Sequence, residues 1–75
     1  MIKIIRFKSD SLNFSKERKG IKSNTVRITD DWNKERWERF YNANYVLIQR
    51  TTDKKEFMRY ITDKTVYKNI VVISW

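Results

Sequence analysis

NIVVISW, residues 69–75, is nearly continuous in apolar and β-branched side chains. Such a run describes a strand buried on both faces, in the middle of a small sheet or barrel. Upstream, YVLIQRT (45–51) and EFMRYIT (56–62) flank the turn Thr52-Asp53-Lys54 and read as a hairpin. Before them, Thr29-Asp30-Asp31 offers short oxygen-bearing side chains and negative charge, both suited to a helix start. Trp32, Arg36 and Phe40 fall on one helical stripe, and Asn33, Trp37 and Tyr41 on the next. The spacing predicts a main helix at about 31–43, ending near Asn42 or Asn44, with its aromatic face in the core.

Nearer the start, Ile2, Ile4, Ile5 and Phe7 alternate imperfectly with Lys3 and Arg6, a short strand pattern. SLNFSKERK (11–19) reads as a short helix, with Leu12 and Phe14 or Ser15 facing inward and Gly20 as its stop. Residues 25–28 read as a strand with Val26 and Ile28 on one face. The order β, short helix, β, α, β, β, β defines an α+β chain with a mostly antiparallel sheet or barrel.

The chain has 75 residues, enough for one domain. At that size folding buries only about 60% of the unfolded surface. Without cysteine or histidine, neither a disulfide nor an ordinary zinc site can staple the fold, so packing must hold it. The same absences exclude a Ser-His-Asp triad and a cysteine nucleophile, and no cofactor is expected. No apolar run approaches the ~20 residues of a membrane span. The opening MIKIIRFK lacks the long apolar stretch of a signal peptide. The lack of cysteine fits a reducing cytoplasm, the expected location. Abundant Asn, Lys and Ile, with a single Ala and a single Gly, read as the mark of an AT-rich genome, that of a phage or a low-GC bacterium.

Seventeen basic residues against nine acidic ones give a net charge of +8. Eight of the basic and two of the acidic residues lie in residues 1–29, so most of the excess is there. Such a field favours an anionic partner, most commonly nucleic acid. It also centres attention on GIKSNTVR (20–27). Gly20 frees the backbone for a turn or a close approach to a ligand. Lys22 and Arg27 can neutralise phosphate, Arg27 with a two-pronged fork. Ser23, Asn24 and Thr25 supply short hydrogen-bonding groups, and Lys16, Arg18 and Lys19 lie just upstream. These nine residues are the expected nucleic-acid contacts.

The order Gly20-x-Lys22-x-x-Thr25-x-Arg27 resembles the G-x-K-x-x-T-x-R signature of ASCH domains, small β-barrels related to the PUA RNA-binding fold. The resemblance implies a cleft lined by Lys22, Thr25 and Arg27, its floor shaped by Gly20, for RNA or a nucleotide-like ligand. Some members are amidohydrolases on a modified cytidine, with the signature Lys and Thr catalytic. Typical members are longer, and the stretch that carries their acidic catalytic residue is nearly absent here. Residues 62–68 span that gap, and Asp63 is the nearest acid by position.

Three functions follow as expectations: an RNA- or nucleotide-binding module of ASCH/PUA type, a reduced amidohydrolase, or a phage-type inhibitor that binds a host protein. The last would use Trp32, Trp37, Tyr41 and Trp75. Against all three, Gly20 can be a plain turn residue, Thr25 an ordinary strand former, and Lys22 and Arg27 solvated edge charges.

Overall fold

A computed structural model describes residues 2–75. Six strands and two helices follow in the order β1 (Ile4–Ser9), α1 (Ser11–Arg18), β2 (Asn24–Ile28), α2 (Lys34–Asn42), β3 (Tyr45–Arg50), β4 (Glu56–Tyr60), β5 (Asp63–Tyr67) and β6 (Ile70–Ser74). They form two three-stranded sheets, ordered β1-β3-β4 and β2-β6-β5. The fold is α+β and mostly antiparallel. The exception is β1 against β3, which run parallel with Ile5 opposite Val46 and Phe7 opposite Ile48. The chain returns to β1 only after α1, β2 and α2, and so long a crossover is what parallel pairing requires.

The inner faces of both sheets share one core. Ile5 and Phe7 of β1, Val46 and Ile48 of β3, Phe57 of β4, and Val71 and Ile73 of β6 meet Phe14 of α1 and Phe40 of α2 there. Trp32, Trp37 and Trp75 pack against it from the rim, so Phe40 and Trp37 of the expected aromatic face belong with the core, whereas Tyr41 is 63% exposed. β6 is the central strand of its sheet, between β2 and β5. Only one of its faces is fully buried: Val71 and Ile73 are closed off, while Ile70 and Val72 on the other face are half-buried.

The main helix starts later than residue 31. Its cap is Asn33, whose side chain accepts the Arg36 N–H at 2.8 Å. Residues 29–31 instead form a turn in which the Trp32 N–H donates to the Thr29 carbonyl. The delay leaves the Trp32 ring free to stack on Phe7, with centroids 6.1 Å apart, and to reach Phe40 at 5.8 Å. In α1, Asp10 is the cap and accepts the Asn13 N–H at 2.8 Å. Phe14 and Glu17, three apart on one face, point inward, whereas Leu12 is 67% exposed. Leu12 lies two residues from Phe14, on the far side of so short a helix.

β5 was not expected. It is an almost fully exposed edge strand joined to β6 through a turn at Lys68, where φ is 52°. β2 carries the second departure from simple patterning. Val26 and Ile28 do share a face, but it is the outward one, with 50% and 63% of their surface exposed. Thr25 and Arg27 point inward. Val26→Thr and Ile28→Thr should each change unfolding free energy by less than about 0.5 kcal/mol. Phe40→Ala should cost about 3–5 kcal/mol. Urea denaturation checks both, and a large loss at Val26 or Ile28 would mean that β2 is inverted.

Candidate nucleic-acid site

Because β2 turns Thr25 and Arg27 inward, it places them across from the end of β1 and the buried side of α1. A polar pocket of about 190 Å³ forms there, lined by Lys8, Ser9, Asp10, Asn13, Glu17, Lys22, Thr25, Val26 and Arg27. Its floor holds three buried polar side chains: Ser9, Glu17 and Thr25, with 8%, 1% and 2% of their surface exposed. Ser9 Oγ donates to Glu17 Oε1 at 3.1 Å. Glu17 Oε2 is buried and has no hydrogen-bond partner among the described residues. A carboxylate in that state is costly, and such groups require an explanation.

Arg27 forms one wall. Its Nε donates to Thr25 Oγ1 at 2.9 Å, and one terminal nitrogen donates to the Lys8 carbonyl at 2.6 Å. Its guanidinium lies 4.8 Å from the Phe7 ring centroid, within cation–π range. Burial lowers the Arg27 pKa from its ordinary value; Glu17 opposes the shift and Arg36 adds to it. Arg36 repeats the arrangement one step along β1. It donates to the Arg6 carbonyl and sits 4.6 Å from the same Phe7 ring. Arg27 thus has two tasks: it joins the β2 edge of one sheet to the β1 edge of the other, and it charges the pocket wall.

Of the nine residues expected from sequence, the structure brings Lys22, Thr25 and Arg27 into the pocket. Lys16, Arg18 and Lys19 are exposed at the end of α1 and do not line the pocket. The Lys22 N–H donates to the Lys16 carbonyl, which ties that end of the helix to the pocket strand. Gly20 is a turn residue. Its φ is +78°, and an added Cβ would meet nothing within 4 Å. Its role is therefore the left-handed conformation after a helix, not close approach. Ser23 is exposed and donates to the Gly20 carbonyl at 3.4 Å, while Asn24 lies on the outward face of β2 opposite Ser74.

Glu17 is the acid that sequence reading missed. Asp63 lies on β5, accepts from Thr65 and is not in this pocket. The available signal was the three-residue spacing from Phe14, which puts Glu17 on the buried face of α1. Among the described residues no cluster of acidic side chains is placed to hold a metal ion. No helix is long and apolar enough to cross a membrane. The chain matches no family model and no curated protein.

Lys22 and Arg27 should separate cleanly under substitution. Arg27→Ala removes two hydrogen bonds and a seam between sheets, and should cost about 1–3 kcal/mol. Arg27→Lys should recover only part of that, because an ammonium lacks the planar fork. Lys22→Ala should stay within about 0.5 kcal/mol of the parent. Equal losses for Lys22→Ala and Arg27→Ala in urea denaturation would contradict this division of roles.

Proposed function

We propose that the protein is a small RNA-binding module, of the ASCH/PUA type that its Gly20–Lys22–Thr25–Arg27 spacing resembles. The observation that carries the reading is the polar pocket walled by Lys8, Lys22 and Arg27, in a chain whose α1 ends in the exposed cations Lys16, Arg18 and Lys19. Cations on the rim suit the phosphodiester backbone, and a small polar recess suits one unstacked base. The volume supports a small occupant. About 190 Å³ falls below the roughly 300 Å³ at which drug-sized or dinucleotide pockets begin.

Binding of single-stranded RNA should weaken steeply with salt. If Lys16, Arg18, Lys19 and Lys22 each engage a phosphate, the log–log slope is about −3, or roughly fiftyfold between ~50 and ~200 mM salt. Fluorescence anisotropy measures it. Lys22→Ala should lower affinity and flatten the slope by about one phosphate's share. No affinity for single-stranded or structured RNA in low salt would end the reading. A partner that survives nuclease treatment and high salt would favour the protein-binding alternative.

One observation favours a second reading, a reduced amidohydrolase. Lys22 and Thr25, the positions catalytic in some ASCH members, share the pocket with a buried carboxylate, Glu17. A hydroxyl nucleophile with a nearby amine and acid is workable chemistry. Incubation with N4-acylated cytidines decides it: product formation that Thr25→Val abolishes would establish the activity. Substrate left intact by a large excess of protein would dismiss it.

A further inference from the structure

Glu17 sets a problem that RNA binding in general does not solve. A buried carboxylate in a site meant for a polyanion opposes the phosphates. Phosphate contact gains nothing from it, and the cations on the rim need no such partner. The side chain is 1% exposed and lines the pocket. Oε1 accepts from Ser9 Oγ, while Oε2 has no donor among the described residues. An ionised carboxylate only accepts hydrogen bonds, with room for about four across its two oxygens. What this floor lacks is a ligand that donates.

The common bases differ sharply in this respect. On its Watson–Crick edge guanine presents two adjacent donors, N1–H and the N2 amino group, followed by the O6 acceptor. Adenine and cytosine each present one amino donor beside a ring nitrogen whose lone pair would face the carboxylate. Uracil places its single N–H between two carbonyl oxygens. A carboxylate floor therefore accepts guanine with two hydrogen bonds and sets a repulsive contact against the other three. The pocket's other charged side chains are Lys8, Asp10, Lys22 and Arg27; both Asp10 oxygens already accept from Asn13, and Arg27 on the wall is a donor for an acceptor such as O6. Of the five N–H groups of Arg27, two are used within the protein.

We propose that the pocket between α1, β1 and β2 selects an unpaired guanine, with Glu17 accepting from its N1–H and N2 amino group. The proposal rests on the RNA-binding reading and names what the site reads. Oε2 is closed to solvent, so entry of the base requires the Glu17 side chain to turn toward the pocket.

The test uses the intact chain and short single-stranded oligouridine carrying one central guanosine, measured by fluorescence anisotropy at low salt. A single guanosine should raise affinity over oligouridine alone by roughly 5- to 150-fold, the range of a bidentate base contact. Inosine, which lacks the N2 amino group, should lose part of the gain. 1-Methylguanosine, which blocks N1–H, should lose all of it. 7-Deazaguanosine leaves the Watson–Crick edge intact and should bind like guanosine. Glu17→Gln, of nearly the same shape, should erase the preference while keeping the salt-dependent affinity for oligouridine.

The arms that use only base analogues on the parent protein do not depend on how well Glu17→Gln folds. Tight but indifferent binding of all oligonucleotides would overturn the guanine proposal and leave RNA binding standing. Glu17 would then serve only as counter-charge to Arg27. No binding to any oligonucleotide would remove both.

Discussion

The free edge of β1 governs much of this structure. β1 is the outer strand of its sheet, so the carbonyls of Arg6 and Lys8 have no neighbouring strand to bond. An open edge of this kind invites pairing with another chain. Here two arginines occupy it: Arg36 from α2 donates to the Arg6 carbonyl, and Arg27 from β2 donates to the Lys8 carbonyl. Both guanidiniums lie against Phe7. The two contacts tie the main helix and the second sheet to the first sheet. In a chain without cysteine or histidine, whose whole margin is expected near 5–15 kcal/mol, such cross-links weigh heavily.

Pointing Arg27 at β1 has a consequence two residues away. Alternation along a strand puts Thr25 on the same inward face and turns Val26 and Ile28 outward. A strand patterned only for stability would bury the valine and isoleucine. β2 does the reverse, and the polar face it turns inward meets the buried Ser9–Glu17 pair. Local sequence preference gives way here to a polar recess, and departures of this kind concentrate where proteins bind or react. The same geometry explains why the Gly20–Arg27 segment cannot be purely a surface charge cluster: Thr25 is 2% exposed.

Much of this was legible in the chain. The β3–β4 hairpin, the central place of β6 and the aromatic core face of α2 follow from apolar runs and helical spacing, because each buries a large continuous apolar surface. The elements that resisted reading bury little. β5 is an exposed edge whose pairing is set by the turn at Lys68 and by β6, not by its own side chains. The delayed start of α2 depends on where the Trp32 ring finds space, a tertiary matter. Of the nine contacts expected from residue types and the ASCH-like spacing, Lys22, Thr25 and Arg27 line the pocket, but Glu17 reads as one more surface charge in SKERK until Phe14 fixes which side of α1 is buried. Likewise the dual role of Arg27 is invisible without knowing that β1 and β2 are adjacent edges.

The most direct measurement is a ¹⁵N–¹H NMR titration of the protein with single-stranded RNA. If the recess between α1, β1 and β2 is the binding site, the largest shifts fall at Ser9, Glu17, Lys22 and Thr25, together with the Nε–H signal of Arg27. Tyr67 and Val72, on the outward face of the second sheet, stay still. Shifts centred instead on that outward sheet face or on α2, with Thr25 and Lys22 unmoved, would contradict it.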